Sequence, residues 1–141
     1  MILAQTDTTV GFLSQDAERL STIKERDPSK PFIQSFDTLK RYTTMGGRVP
    51  KAHKSRLRRA KSSTFVINNR AIRIVSDTPH HKLLSKYGWL YSTSANPKGQ
   101  NFDLDFAQEH ADIIVQDSRG LYEGRASHIY KITNTTRKKL R

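Results

Sequence analysis

The amino-acid sequence predicts a single α/β domain, built on a mixed β-sheet with flanking helices. Short apolar runs typical of buried strands alternate with segments of helical periodicity, which indicates strands joined by helices. Two of the runs flank a turn-forming tripeptide and predict a hairpin, so the sheet contains antiparallel pairs. The 141 residues suffice for one core and are too few for two cores with a linker.

The N-terminal segment predicts a strand followed by a helix. Ile2 to Ala4 form an apolar run that enters a polar loop. Ser14 is expected to cap a helix that Asp27-Pro28 ends, because the residue before proline disfavours helical backbone. The apolar face of this helix would contain Leu13, Ala17, Leu20 and Ile23.

A strand at residues 31–33 and a brief helix are expected next. Ser35 is the predicted cap of that helix, and Met45-Gly46-Gly47 breaks it. Residues 48–61 then hold seven Lys or Arg in fourteen positions and no acid. This stretch is either a solvated basic helix or an arm that contacts anions, and it is not core.

A hairpin is predicted in the middle of the chain, with strands at 64–67 and 71–75 joined by Asn68-Asn69-Arg70. Period-two alternation places Arg73 on the face opposite Ile72 and Ile74. A charge in a strand otherwise fit for burial needs a partner. The partner is either a ligand phosphate or a structural carboxylate such as Asp7 or Asp77.

The second half predicts two helices and three strands. Pro79 suits the first turn of a helix that ends at Tyr87-Gly88, and Asp103 caps the other helix. The strands are expected at 89–93, 113–115 and 128–132, and the basic tail 137–141 is expected to be mobile. Three aromatic residues are interpreted as packing residues: Tyr87, Trp89 and Tyr91.

Composition limits the classes of function. The net charge of +12 and the pI near 10.2 favour a polyanionic partner. The absence of cysteine excludes disulfides, thiolate nucleophiles and Cys-based zinc sites, and adjacent His80 and His81 lack a second ligand pair. No apolar run has the length of a signal peptide core or a membrane span, so a cytoplasmic protein without membrane contact is expected.

Three polar loops carry the candidate chemistry: Thr6–Thr9, Lys24–Lys30 and Ser92–Gly99. In open α/β sheets, ligands bind beyond the carboxyl ends of strands, where hydroxyls and backbone amides converge. We therefore expect these loops to form one pocket.

The same loops resemble motifs of the YrdC family. Thr6-Asp7-Thr8-Thr9-Val10-Gly11 is similar to the family's opening motif, and residues 24–31, Lys-Glu-Arg-Asp-Pro-Ser-Lys-Pro, resemble its Lys-x-Arg-Pro-x-x-Lys-Pro segment. Ser92-Thr93-Ser94-Ala95-Asn96-Pro97-Lys98-Gly99 resembles the Ser-Thr-Ser-Ala-Asn-x-Ser-Gly loop. Ala71-Ile72-Arg73-Ile74 and Arg125-Ala126-Ser127-His128-Ile129 match two further segments in order.

The resemblance implies a YrdC-like twisted open mixed sheet over residues 1–136, with a basic tail at 137–141. It implies an L-threonylcarbamoyladenylate synthase, a nucleotidyltransferase of tRNA threonylcarbamoyladenosine modification. The substrates would be ATP with Mg²⁺, L-threonine and bicarbonate. Further implied partners are tRNA or double-stranded RNA and other tRNA-modification proteins.

The resemblance also implies roles for particular residues. Lys24 and Arg26 are the catalytic candidates, and Thr6, Thr8 and Thr9 the candidates for threonine and carbamate binding. The nucleotide candidates are Lys30, Arg73, Ser92, Ser94, Ala95, Asn96, Arg125 and Ser127. The candidates for RNA contact, from charge density, are Arg48, Lys51, Lys54, Arg56, Arg58 and Arg59. No metal ligand is expected from protein side chains alone.

Several positions depart from the family pattern. Val10 replaces an aromatic residue, Lys61-Ser62-Ser63 replaces Pro-Gly-Pro, and Ser35 stands where many members have histidine. The chain also begins close to the first motif, so a shortened sheet is expected. Threonine binding is affected more than nucleotide binding, which leaves open a non-catalytic RNA-binding or nucleotide-binding regulatory protein.

The residue types alone also permit simpler interpretations. The cations of residues 24–30 could form a solvated helix end, because a helix C-terminus favours positive charge. Residues 92–96 could form an ordinary turn after a strand.

Overall fold

The computed structural model describes residues 1–27, 29–76 and 78–141. The nine strands in these residues are β1 (Ile2–Gln5), β2 (Val10–Ser14), β3 (Ile33–Phe36), β4 (Ser63–Ile67), β5 (Arg70–Ile74), β6 (Trp89–Ser94), β7 (Ile113–Val115), β8 (His128–Ile132) and β9 (Arg137–Lys139). The helices are α1 (Ala17–Ile23), α2 (Leu39–Thr44), α3 (Lys54–Arg59), α4 (Pro79–Tyr87) and α5 (Leu104–Glu109), with a 3-10 turn at Lys51–His53.

All nine strands form one mixed sheet in the order β7-β1-β2-β6-β3-β5-β4-β8-β9. The pairs β1/β7, β3/β5 and β4/β8 are parallel, and the other five neighbouring pairs are antiparallel. Helices flank this sheet in a single domain, as the alternation of strands and helices predicts. The predicted α/β fold class is confirmed.

The first hairpin, β1–β2, corrects the prediction for the N-terminal segment. Leu13 and Ser14 lie in β2, and the helix cap is Asp16, whose carboxylate accepts a hydrogen bond from Arg19 N. Leu13 pairs with Ile2 across the hairpin, so its apolar side chain is buried by the sheet and not by a helix. Helix α1 ends at Ile23, and Pro28, its predicted terminator, lies outside the described residues.

The prediction for Ser35 is also wrong. Ser35 is a fully buried residue of β3, between Leu90 of β6 and Arg73 of β5. The cap of α2 is Thr38, whose hydroxyl accepts a hydrogen bond from Arg41 N. Ser and Thr are equally suitable cap residues, and the pairing of β3 on both sides decides between these two positions.

The central hairpin, β4–β5, agrees with the prediction. Asn68 and Asn69 both have positive φ, 48° and 61°, which a two-residue hairpin turn between twisted strands favours. Asparagine tolerates this backbone region better than most residues. The turn positions Arg70 opposite Ile67 and thereby fixes the register of β5.

The sheet is covered on both faces by apolar side chains. Leu3 and Phe12 pack with Leu20 of α1 on one face, while Ile2 and Leu13 pack with residues such as Leu84 of α4 on the other. A third cluster joins α2 and α3 to the strands beyond β6, with these buried members: Phe36, Leu39, Tyr42, Leu57, Phe65 and Ile72. A fully buried leucine contributes about 2 kcal/mol by its removal from water.

The basic C-terminal segment is more ordered than predicted. Residues 137–139 form β9, which pairs antiparallel with β8 from Tyr130 to Ile132. The guanidinium of Arg137 lies 5.0 Å from the centre of the Tyr130 ring. The prediction of a mobile tail is therefore wrong at these positions, because the exposed edge of β8 provides backbone partners.

Candidate functional site

A pocket of about 320 Å³ lies at the end of the sheet where β1 and β6 finish and β3 begins. Polar and cationic side chains line much of it. Among the lining residues are eight of the predicted site residues, Thr6, Thr8, Thr9, Arg26, Arg73, Ser92, Ser94 and Ser127. Residues from all three polar loops therefore line one pocket, as expected.

Thr6 organises the loop between β1 and β2. Its hydroxyl donates to Thr9 O at 2.6 Å and accepts from the backbone N–H groups of Thr8 and Thr9, both at 3.2 Å. Thr6 Oγ1 also lies 3.1 Å from Thr8 Oγ1. The loop therefore holds the hydroxyls of Thr8 and Thr9 in fixed positions at the pocket.

Arg73 lies at the centre of the polar network. Its Nη1 donates to Asp7 Oδ1 at 3.0 Å and to Thr8 Oγ1 at 3.1 Å. Its Nε and Nη2 donate to Thr64 Oγ1 at 3.3 and 3.1 Å, and the Thr64 hydroxyl contacts Ser127 Oγ at 3.0 Å. Arg73 thus forms a structural ion pair and lines the pocket at once. Its other predicted carboxylate, Asp77, lies outside the described residues.

Asp7 is shared between two basic side chains. Besides Arg73, its Oδ1 lies 3.2 Å from Nδ1 of His80, a fully buried residue of α4. Burial alone would raise the pKa of Asp7, but hydrogen bonds and charges from His80 and Arg73 outweigh it and lower that pKa. Burial lowers the pKa of His80, and the opposing effect of Asp7 is smaller. The lowered pKa favours the neutral imidazole.

Residues 117–124, here called the strap, hold the Thr6–Thr9 loop from outside. Arg119 donates from Nη1 to Thr6 O and from Nη2 to Gln5 O, both at 3.1 Å. Further bonds run from Val10 N to Tyr122 O at 3.1 Å and from Gly124 N to Thr9 Oγ1 at 3.1 Å. A Cβ at Gly124 would lie 2.0 Å from Thr8 O, so this approach requires glycine. The sequence motifs alone did not identify this support.

The serine-rich loop is positioned by β6. Ser92 is buried, and its Oγ lies 3.2 Å from that of Ser35, so Ser35 supports the pocket wall. Ser94 is exposed to the pocket and pairs with Gly11 of β2. A Cβ at Gly11 would meet Thr93 O at 2.8 Å, which explains the glycine that closes the first motif.

The three cations of residues 24–30 do not converge. Lys24 is buried, and its Nζ donates to Asn96 Oδ1 at 2.9 Å and to Asn96 O. Burial, with a contribution from the charge of Arg26, lowers the pKa of Lys24 to about 8. Arg26 reaches the pocket and lies 4.9 Å from the ring centre of Phe32, whereas Lys30 lines a neighbouring cavity.

Other predicted residues also lie off the pocket lining. Ala95 is buried in the core and Asn96 contacts Lys24, so these two support the loop from behind. Arg125 is exposed and does not line the pocket.

Arg141 does line the pocket, and its Nε donates to Ser127 O at 3.1 Å. Sequence analysis missed it because it assigned this segment to a mobile tail. The apolar residues Ile129 and Ile132 in the adjacent strand β8 were the available signal that the basic segment has a partner.

The predicted RNA-contact residues all have exposed side chains: Arg48, Lys51, Lys54, Arg56, Arg58 and Arg59. Across the residues that the structure describes, no helix has the length and apolar character needed to cross a membrane.

Comparison with solved structures identifies the fold. Sua5 from P. abyssi, in a complex with L-threonine, superimposes with a TM-score of 0.77 at 16% identity, over 99% of this chain and 49% of Sua5. YciO from E. coli gives 0.74 at 18% identity, over 99% of this chain and 81% of YciO. The chain has the YrdC-like fold. The present YrdC-like chain spans about half the length of Sua5. At 16% and 18% identity, the similarity to these structures shows a shared fold alone.

Sequence comparison adds a relative without a described activity. An uncharacterized protein of Mycoplasma pneumoniae, the MG259 homolog, is 32% identical over 95 residues, which is 67% of this chain and 20% of that protein. No family model matches the chain. The YrdC-like fold therefore rests on structure, and the activity has to be argued from the pocket.

Proposed function

We propose that the protein is a YrdC-family L-threonylcarbamoyladenylate synthase. The amino nitrogen of L-threonine combines with bicarbonate to form a carbamate and water. A carbamate oxygen then attacks the α-phosphorus of ATP, and the bond to the β-phosphate oxygen breaks to release pyrophosphate. The product is the activated unit for threonylcarbamoyladenosine in tRNA.

The observation that carries this proposal is the position of Arg73. Its side chain is 95% buried and lines the pocket, where its guanidinium donates to the hydroxyls of Thr8 and Thr64. A fixed cation in a site shielded from water stabilises negative charge that develops on phosphate oxygens better than mobile water does. Arg26 and Arg141 also line the pocket and supply two more guanidinium groups for phosphates.

The hydroxyls that line the pocket suit both halves of the reaction. Thr8 and Thr9 supply fixed hydroxyls on the β1–β2 loop, which suit the carboxylate and carbamate oxygens of the amino-acid half. Ser94 and Ser127 supply hydroxyls for the nucleotide half. A carbamate is already an anionic nucleophile, so positioning and charge neutralisation account for the chemistry without a general base.

Mg²⁺ would enter as part of the nucleotide substrate. The described lining of the pocket has hydroxyls and guanidinium groups but no carboxylate, and nearby Asp7 is paired with Arg73 and His80. Magnesium prefers oxygen ligands and is held in many such sites mainly by substrate phosphates. The triphosphate oxygens of ATP are therefore its expected ligands.

Release of pyrophosphate from ATP and bicarbonate, measured with and without L-threonine, tests the proposal. We expect threonine-dependent release, and about a tenfold or larger loss of kcat/KM for Arg141→Ala, because a hydrogen bond between charged groups contributes about 1.5 to 3 kcal/mol. Arg137→Ala is the matched control, since it removes the same charge from β9 outside the pocket lining.

The alternative is a non-catalytic nucleotide-binding or RNA-binding protein of the same fold. It is favoured by the positions that differ from the family at the threonine side, Val10 and Ser35. It predicts that ATP binds, with a dissociation constant measurable by calorimetry, while pyrophosphate release stays independent of threonine. That outcome would overturn the synthase and retain the nucleotide site.

A further inference from the structure

Positive charge is concentrated in one part of the chain. Residues 38–102 contain 14 of the 25 Lys and Arg but one acidic residue, Asp77, which lies outside the described residues. This segment therefore carries more than the whole net charge of +12, and the remaining residues are close to neutral. Such an asymmetric distribution attracts polyanions to one side of a molecule.

Much of this charge lies at the end of the sheet remote from the pocket described above. That pocket contacts Ile33 at the start of β3 and Ser94 at the end of β6. The opposite end holds Thr38, just after β3, and Trp89, the first residue of β6. At about 3.3 Å per residue along a strand, the five residue steps between the two ends span on the order of 16 Å.

A groove crosses this far end. One cavity of about 530 Å³, between α2 and α3, is lined by Lys40, Lys54 and Arg58 and also by Asp37, whose carboxylate is paired with Arg41. A second, of about 440 Å³, is lined by Lys40, Tyr87 and Trp89. Lys40 lines both cavities, and the two together are called the groove. None of the three cations forms an ion pair within the part of the chain that the structure describes.

Helix α3 presents charge and hides its apolar residues. Leu57 is 0% exposed, and His53, just before the helix, is buried too. Lys54 and Arg58, one helical turn apart, are exposed on the side of the groove. A helix that binds a lipid surface exposes an apolar face for insertion, and α3 has none. The groove therefore favours a hydrated polyanion over a membrane.

An aromatic platform adjoins the cations. Tyr87 is 43% exposed, which departs from the interpretation of this residue as packing. Trp89 beside it is half-buried and makes an edge-to-face contact of 5.1 Å with Tyr91. Cationic grooves with an accessible aromatic ring bind single-stranded nucleic acids, because the cations follow the phosphates and a base stacks on the ring.

We infer that this groove binds RNA through an unpaired segment, with phosphates along Lys40, Lys54 and Arg58 and one base stacked on Tyr87. An accessible base is required for stacking, and loops and bulges that present such bases are the usual recognition elements of RNA. The site is separate from the proposed ATP pocket and does not depend on the synthase activity.

Fluorescence anisotropy with a labelled single-stranded RNA of about twelve nucleotides, matching a site of 4 to 16, tests the site. The variant K40A/K54A/R58A is expected to lower the salt slope, d log K/d log [salt], by about 2, since each single-strand phosphate contact contributes about 0.7. The control R137A/K138A/K139A removes the same charge from β9. We expect the control to keep the wild-type slope within about 1.

Trp89 gives a local readout because it is the sole tryptophan of the chain. RNA is expected to quench its emission, and Tyr87→Ala should weaken binding about 5- to 150-fold, the effect of losing one stacked base, while Tyr87→Phe retains affinity. The proposed site would be overturned if both triple variants lowered the salt slope equally. It would also be overturned if Trp89 emission were unchanged at saturating RNA.

Two further arms test the chosen partner. A preference for a duplex of the same length over the single strand would overturn the unpaired-RNA assignment. If phosphatidylserine vesicles bind as tightly as the single-stranded RNA, and Tyr87→Ala weakens both equally, the groove binds anions in general. That outcome would overturn the RNA proposal. Because Arg141→Ala should reduce pyrophosphate release and leave RNA affinity unchanged, failure of the synthase and failure of this site are distinguishable.

Discussion

The carboxylate of Asp7 lies 3.0 Å from Nη1 of Arg73, and this ion pair connects the β1–β2 loop to the middle of β5. Both side chains are about nine-tenths buried or more. The pair is 66 positions apart in sequence, so it forms only when the sheet has assembled. It fixes the guanidinium that we propose as the main phosphate contact.

Loss of this carboxylate is expected to destabilise the fold. Asp7→Ala leaves the buried charge of Arg73 without its partner, which costs about 3 to 5 kcal/mol in comparable buried pairs. Asp7→Asn retains a hydrogen-bond acceptor and should cost less. Urea unfolding monitored by circular dichroism measures the difference, with exposed Asp105→Asn as control. A free energy of unfolding unchanged in Asp7→Ala would contradict the structural role of the pair.

The stability of the protein is expected to fall on acidification below about pH 6.5, the ordinary pKa of histidine. Burial lowers the pKa of His80 in the folded protein, so below that pH the unfolded chain binds a proton that the folded protein excludes. The lowered pKa of Asp7 adds a second loss below its ordinary value of 3.8, because protonation then favours the unfolded chain.

Urea unfolding between pH 5 and 8 isolates the contribution of His80. His80→Gln should flatten the slope of unfolding free energy against pH, because glutamine does not titrate. Lys86→Gln, on the exposed side of the same helix, should keep the wild-type slope. An identical slope in His80→Gln and wild type would show that His80 is not the group responsible.

The buried amine of Lys24 predicts a second pH dependence of stability, in the alkaline range. Burial and the charge of Arg26 lower its pKa from 10.5 to about 8. Between these values the folded protein releases a proton that the unfolded chain still binds, so the free energy of unfolding should rise with pH in this range. Lys24→Met should abolish this rise, and Lys30→Met, an exposed neighbour, should preserve it. The measurement is urea unfolding at pH 7.5 to 10.

Gly124 predicts a selective effect on the part of the pocket that we propose to bind L-threonine. In Gly124→Ala the new Cβ would meet Thr8 O at 2.0 Å, so the strap must move away from the Thr6–Thr9 loop. We expect a loss of about 1 to 3 kcal/mol in stability, as for other overpacked sites, and a raised KM for L-threonine with a smaller change in KM for ATP.

The matched control for this substitution is Ser118→Ala, an exposed position of the same strap. It should leave both KM values and the melting temperature at their wild-type levels. Equal increases in the two KM values for Gly124→Ala would mean that the strap supports the whole pocket and not the threonine side alone.

Much of the fold was predictable because strong local signals agreed. Asn68 and Asn69 between two apolar runs specify the β4–β5 hairpin, and Pro79 and Gly88 delimit α4. Other positions were misassigned, and Leu13 and Ser35 show the reason. Leu13 and Ser35 suit a helix or its cap by local pattern alone, and both became strand residues because strands distant in sequence pair with them.

For the candidate site, the ordered motifs around Thr6, Arg73 and Ser94 predicted most of the polar lining. Lys24 shows where such motifs mislead, since it faces Asn96 and supports the loop instead of lining the pocket. Arg141 shows the opposite error, because its segment has few apolar residues and forms a strand only against the open edge of β8.

The sequence by itself determined the types of element, their order and the chemical groups that each loop offers, because propensity, periodicity and turn formation act over a few residues. Only the tertiary structure decided which groups meet. It paired Asp7 with Arg73 and His80, brought the strap onto Thr9 and aligned Lys40 with Tyr87 at the far end of the sheet. Strand pairing and burial act between residues distant in the chain, and no local pattern records them.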